Sequence, residues 1–191
     1  MNNSIKIIEK KILSENWYKL YKYTYETADK KGRKKIEHRE AYDRGNGAVI
    51  LLYNTRNKNV ILTKQFRLPT FINGNADGMM IEACAGLLDK DNPEDCIRKE
   101  TEEETGYRIT HVQKIYEAYM SPGSVTEILY FFVAEYSKDQ KVNEGGGVED
   151  EENIEVLELP FEKAWTMMER GEIRDAKTIM LLQYAKIKNL I

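Results

Sequence analysis

Asp91-Asn92-Pro93-Glu94-Asp95-Cys96-Ile97-Arg98-Lys99-Glu100-Thr101-Glu102-Glu103-Glu104-Thr105-Gly106-Tyr107 reads as one helix with both ends marked. Asp91-Asn92 supplies a cap residue, Pro93 suits the first helical position, and Glu94 puts acid in the first turn. Gly106 stands where a left-handed C-terminal cap belongs. About three and a half turns fit between them, with Cys96 and Ile97 offering apolar contact to a core. Glu100, Glu103 and Glu104 are spaced i, i+3 and i+4, which gathers three carboxylates on one face. Like charges so placed repel by about 0.2–0.5 kcal/mol per pair. A divalent cation reverses the sign of that effect, and hard oxygen ligands suit magnesium or, as a second choice, manganese. Such ions organise phosphates, so the helix points to metal-dependent chemistry on a phosphate compound. Ahead of it, Met79–Ala85 reads as a strand and Gly86-Leu87-Leu88-Asp89 as a turn.

The rest of the chain bounds this reading. A length of 191 residues with 41% hydrophobic content suits one main domain with a sizeable core. A net charge of −3 and a pI near 5.6 offer no basic surface for nucleic acid or membrane. The basic run around Lys30-Lys31 and Arg33-Lys34-Lys35 suits a solvated hairpin. No apolar run approaches the ~20 residues of a membrane span, and the amino terminus lacks a signal-peptide core. Cys84 and Cys96 have no metal-ligand spacing and read as reduced, buried fillers. The cytoplasm is the compartment expected from these features.

Residues 4–42 read as β-rich, with strands through Ile5–Ile8, Trp17–Tyr25 and Ile36–Tyr42 and a turn at Ala28–Gly32. Asp43-Arg44-Gly45-Asn46-Gly47 breaks the pattern and marks a boundary. Buried-type strands follow at Ala48–Tyr53 and Val60–Phe66, joined by a turn at Asn54–Asn59, and then a loop over Thr70–Gly78. Beyond the acidic helix, Val112–Tyr119, Ile128–Tyr136 and Ile154–Leu159 read as strands. Phe161–Arg170 and Asp175–Lys188 read as helices. The expected fold is α/β, a mixed sheet sandwiched between helices, with residues 1–43 as a β-rich element before a domain of residues 44–191. The apolar residues of 1–43 are too many for a free tail and too few for an independent core. Packing of this element on a partner follows as the expectation.

The segment from Gly86 to Tyr107 resembles the signature of the Nudix hydrolases, an α/β/α sandwich family. Gly86, Glu100, Glu103, Glu104 and Gly106 take fixed positions of that signature. Asn92 stands where its first Glu belongs, Lys99 replaces its Arg, and Thr101 an aliphatic residue. Asp91, Glu94 or Asp95 is expected to brace the helix by pairing with Lys99. Asp43–Ala48, Gln65-Phe66-Arg67 and Gly145–Glu151, in this order, resemble the bacterial GDP-mannose pyrophosphatases of that family. Pro122 resembles a mark of its ADP-ribose pyrophosphatase branch.

The resemblance implies roles. Ala85, through its carbonyl, with Glu100, Glu104 and Glu151 would hold the metal. Glu100, Glu103, Glu104, Glu127 and Glu151 form the catalytic set, with Glu151 or Glu127 to take a proton from water. Trp17, His38, Arg39, Glu40, Arg67, Ala85, Gly86, Leu87, Glu104, Glu127, Asp150, Glu151 and Lys177 would contact the substrate. Plainer readings stand beside these. Arg67 also suits a surface salt bridge, Trp17 core or dimer packing, and His38-Arg39-Glu40, Glu127 and Lys177 a solvated face. The Glu149–Glu152 run also suits a loose acidic loop. The implied activity is hydrolysis of a nucleoside-diphosphate sugar, GDP-mannose first, to GMP and mannose 1-phosphate. ADP-ribose hydrolysis and a non-catalytic nucleotide-binding module are the alternatives.

Overall fold

The computed structural model describes residues 5–147 and 153–191. These fall into two compact units, one running to Asn46 and including Tyr119–Ile128, the other Gly47–Ala118 with Leu129–Ile191.

The first unit is a three-stranded antiparallel sheet of β1 (Lys6–Glu15), β2 (Lys19–Ala28) and β3 (Lys34–Asp43), with β2 central. Ten consecutive residues of β2 and β3 are in register, from Lys19 opposite Asp43 to Ala28 opposite Lys34. Asp29 closes their turn by accepting from the Lys31 and Arg33 amides, and Gly32 supplies the left-handed residue at φ +76°. β1 shifts register between Ile7 and Glu9 and again between Ile12 and Ser14. Ser121–Ile128 joins this unit through Tyr42, whose N–H donates to the Ser124 carbonyl at 2.8 Å and whose carbonyl accepts from Thr126 N–H at 3.0 Å.

The second unit is a mixed sheet between helices. Its strands are β4 (Gly47–Asn54), β5 (Asn59–Phe66), β6 (Met79–Glu82), β7 (Ala85–Leu87), β8 (Gln113–Tyr119), β9 (Ile128–Glu135) and β10 (Glu155–Pro160). The order is β10-β5-β4-β9-β8, with β6 beside β5 and β7 beside β4. β4 and β9 run parallel and the other described pairings are antiparallel. Ala48–Leu52 is buried throughout, as expected for a strand covered on both faces. Ile50 and Leu52 pack with Cys96 and Ile97 of α2 (Pro93–Thr105). The alternate residues Val49 and Leu51 point the other way, and α4 (Ala176–Ile187) also packs on β4. α3 (Phe161–Glu169) packs against β10 and β5.

Two readings need correction. Leu68–Ile72, expected as loop or unassigned, is a short helix, α1, opened by Pro69 in its first turn. The strand expected over Met79–Ala85 is two strands: β6 pairs with β5 and, after Ala83-Cys84, β7 pairs with β4. Gly86 and Leu87 therefore lie in a strand, and the turn begins at Leu88, whose carbonyl accepts from Asp91 N–H at 2.7 Å. Periodicity reads apolar residues but not a change of neighbour, so one run hid two strands.

Candidate active site

The acidic helix α2 is built as its ends imply. The Asn92 side chain accepts from the Glu94 and Asp95 amides at 3.1 and 3.0 Å, and Gly106 caps the other end at φ +80°. Bracing by Lys99 is not what forms. Arg98 pairs with Asp95 and Glu94, while Lys99 reaches forward to Glu103 at 3.7 Å. The guanidinium one position earlier points back along the helix toward its acidic first turn. Thr101 is fully buried, and its hydroxyl donates to the Ile97 carbonyl one turn back. Its polar atom is thereby satisfied inside the core.

Four glutamates, Glu100, Glu102, Glu103 and Glu104, crowd the last turns of α2, where the helix dipole already disfavours negative charge. They divide the work. Glu102 is neutralised by Arg108 at 2.7 Å, and Glu103 by Lys99. Glu103 lines an open cavity of about 810 Å³ with Arg98, Lys99, Glu102, Arg108 and Asn143. Glu100 and Glu104 instead meet β7. The Ala85 amide donates to Glu104 Oε2 at 3.3 Å. A Cβ placed on Gly86 would lie 2.1 Å from the Glu100 carboxyl carbon. Only glycine lets that carboxylate lie over the strand. Burial, above all, raises the Glu104 carboxyl to about 7; the Glu100 charge adds to it, while the buried Cys84 thiol and the Ala85 N–H oppose it. Cys84 is itself driven up by burial, so it stays a thiol and a donor.

Two carboxylates converging on a strand backbone suit a hard divalent cation. Among the described residues no three Asp, Glu, His or Cys side chains form such a site alone. Glu100, Glu104 and the Ala85 peptide make a partial set, and Glu151 and Asp150 lie outside the described residues.

Arg67 directly follows β5 and caps α1, its amide donating to the Gly78 carbonyl at 2.8 Å. Its Nε donates to Glu82 Oε2 at 2.7 Å. Lys177 Nζ donates to Glu82 Oε1 at 2.6 Å and to Asp175 Oδ1 at 2.8 Å. Lys177 is thus an interior ion-pair partner rather than a solvated side chain. Burial works hardest against ionised Glu82, but Lys177 and Arg67 together hold its carboxyl below the ordinary range. Sequence reasoning missed Glu82, although a lone acid inside the apolar run Met79–Cys84 was a signal.

The remaining candidates lie in the first unit. Trp17 is 81% exposed at the β1–β2 turn, so it is not core packing within that unit. His38 Nδ1 lies 3.0 Å from Thr24 Oγ1. Arg39 bonds the His38 carbonyl and pairs with Glu37 at 3.4 Å. Glu40 stands opposite Lys22 in register. By strand alternation His38 and Glu40 share one face and Arg39 takes the other. Glu127 faces Arg44 at 3.6 Å.

A model described as the NUDIX domain matches residues 43–182, and one described as the GDP-mannose pyrophosphatase NudK N-terminal domain matches residues 4–42. The chain is 59% identical, over the full length of both, to the GDP-mannose pyrophosphatase of Yersinia enterocolitica serotype O:8 / biotype 1B. It is 58% identical over 98% of its length to that of Yersinia pestis strain Pestoides F, covering 94% of the relative. It is 56% identical, again over the full length of both, to that of Escherichia coli O9:H4 strain HS. With its glutamate helix, its mixed sheet between helices and these matches, the chain belongs to the Nudix hydrolase family and is a Nudix pyrophosphatase.

Proposed function

We propose that this protein hydrolyses GDP-mannose to GMP and mannose 1-phosphate with magnesium as its metal. The observation that carries this reading is similarity to GDP-mannose pyrophosphatases along the entire chain, the amino-terminal element included. Glu100, Glu104, the Ala85 carbonyl and Glu151 would hold the cation, which when bound neutralises the diphosphate and acidifies a water. Arg67 binds the diphosphate: its Nε is taken by Glu82, which leaves the two terminal nitrogens of a partly exposed guanidinium for phosphate oxygens. Glu127 or Glu151 accepts the proton of the attacking water. Gly86 and Leu87 present strand backbone beside the diphosphate. Trp17, His38, Arg39, Glu40 and Asp150 set the fit of base and sugar.

Residues 1–43 form the dimerisation element and 44–191 the hydrolase domain. Ile7, Ile8, Ile12 and Leu13 are exposed on β1, which supports a homodimer that covers them. No described helix is long and apolar enough to cross a membrane, and two unpaired buried cysteines suit the cytoplasm.

Product analysis after incubation with GDP-mannose and ADP-ribose, with magnesium and with EDTA, tests the reading. GMP and mannose 1-phosphate should appear with magnesium only, and GDP-mannose should have the higher kcat/KM. Glu104→Gln should stay folded and lose about a thousandfold in kcat, the loss typical of a group that serves transition-state charge. Full activity of that variant removes Glu104 from the metal site, and a preference for ADP-ribose overturns the substrate.

A further inference from the structure

Glu82 is 5% exposed and sits in an otherwise apolar strand. Each of its oxygens serves a different cation. Oε2 accepts from Arg67 Nε just beyond β5, and Oε1 from Lys177 Nζ in the first turn of α4. Lys177 is tied in turn to Asp175, the cap of α4, whose other oxygen accepts from Thr178 N–H at 2.9 Å. The Thr178 hydroxyl accepts from the Ala83 amide at 2.7 Å. That amide belongs to the crossing between β6 and β7, two residues before Ala85. One connected network thus joins the residue read as the diphosphate ligand to the backbone of the glutamate cradle.

The charges explain why the arrangement persists. Glu82 and Asp175 balance Arg67 and Lys177, so four ionised groups are gathered with no net charge. Arg67 differs from Lys177 in exposure: its side chain is 41% open against 14%. A guanidinium has five N–H donors in a fixed fork. Engaging Nε fixes the plane of that fork and turns the far edge away from Glu82. A long side chain otherwise carries rotamer entropy that phosphate binding would have to overcome.

We propose that Glu82 is a positioning residue of the diphosphate site, holding Arg67 and Lys177 on one buried carboxylate so that the free edge of Arg67 is already set for phosphate. This rests on the reading of Arg67 as a diphosphate ligand. Because the diphosphate is common to all nucleoside-diphosphate substrates, the effect does not depend on base or sugar.

The test is a double-mutant cycle of Glu82→Gln and Arg67→Ala in the full chain, with kcat, KM and Tm measured for GDP-mannose and for ADP-ribose. Glu82→Gln should raise KM about tenfold, the scale of one charge-assisted hydrogen bond, with a smaller change in kcat and the same factor on every substrate cleaved. Combined with Arg67→Ala it should add little, since coupled residues are non-additive. Glu82→Asp retains the charge but shortens the reach, and should give a KM between the two. A lower Tm with unchanged KM in both Glu82 variants, or losses that multiply in the double variant, overturns the proposal. If Arg67→Ala alone leaves KM unchanged, Arg67 is no diphosphate ligand and the positioning role falls with it. If ADP-ribose is the better substrate, the GDP-mannose reading fails while the cycle on ADP-ribose still decides the role of Glu82.

Discussion

β4 and β1 are both strands rich in aliphatic residues, and they are treated in opposite ways. In β4, Ala48, Val49, Ile50, Leu51 and Leu52 are essentially inaccessible. In β1, Ile7, Ile8, Ile12 and Leu13 are 42–54% exposed. β1 pairs with β2 from Lys6 to Glu15 apart from two register shifts, so the difference lies in side-chain cover. Two register shifts break its alternation at the two aliphatic pairs, and a bulge of this kind sends neighbouring residues off the ordinary two-face pattern. The second unit closes its own core between helices. The first pairs its strands but leaves apolar surface of β1 open, and isolated small sheets need such cover to be stable. A strand can therefore be well formed yet unfinished.

Removing residues 1–43 is the strongest way to break this contrast. The remaining chain should melt cooperatively, because the cluster of Ile50, Leu52, Ile97, Phe132 and Tyr136 lies wholly within it. It should nevertheless be monomeric and lose nearly all activity, as the reading of Trp17 and His38–Glu40 requires. Light scattering, circular dichroism and product analysis decide the matter. A monomeric and active remainder would show that the β element is dispensable.

Matched truncations sharpen it. Leu51→Ala empties a sealed site and should cost about 2–5 kcal/mol in urea unfolding. Ile12→Ala should cost about 0.5 kcal/mol or less at protein concentrations below assembly, as at an ordinary exposed site. At higher concentration its cost should grow if a second copy covers β1. Equal costs at all concentrations would deny that β1 is an interface.

Glycines offer a smaller comparison. Gly145 and Gly32 have nearly the same φ, +70° and +76°. A Cβ on Gly145 would stand 2.5 Å from the Glu104 carbonyl oxygen, whereas Gly32 has nothing within 4 Å. Both alanine variants carry left-handed strain of about 1–2 kcal/mol. Gly145→Ala should cost about 1–3 kcal/mol more, the clash being with backbone that cannot swing aside. Thermal melts of the two variants would reveal a gap. Without one, the packing of Gly145-Gly146-Gly147 on the end of α2 is not rigid.

The glutamate helix was legible because its signals are local: a cap, a proline, an i, i+3, i+4 spacing and a glycine. The strands were legible where one neighbour serves their whole length, as in β3 and β10. The β6–β7 crossing was not, because pairing partners are a property of the assembled sheet. Gly86 was visible as a fixed position, but its reason, the Glu100 carboxylate lying against it, is a contact made only in the folded chain. The spacing of Glu100, Glu103 and Glu104 suggested a single acidic face. In the folded helix Glu103 goes to Lys99, because sequence distance alone does not tell which of two adjacent glutamates meets the sheet. Arg67 and Lys177 were nameable as polar residues. Their shared anchor, Glu82, joins positions up to 95 residues apart, beyond any local pattern.

The smallest effect separates two carboxylates whose pKa values are both depressed. Glu37 on β3 is held low by hydrogen bonds from Lys35 and Tyr25, against some desolvation. Glu82 is held low although burial, the largest influence, opposes it, because Lys177 and Arg67 together prevail. A group whose folded pKa is depressed stabilises above its unfolded value, about 4.5 for these side chains, and loses that contribution as pH falls through the folded value. Lys177 carries the opposite sign: its pKa is raised, so its contribution is intact throughout acid and is lost only in strong alkali. Between neutrality and acid the network therefore responds through Glu82. The Tm deficit of Glu82→Gln should be clear at pH 7 and shrink steadily below pH 4.5. Glu37→Gln should show almost no slope, since water and salt screen its partners on the open sheet. Melts of both variants and the unmodified chain across that range make the comparison. Parallel slopes would mean that Glu82 draws no more from its two cations than a solvated glutamate does.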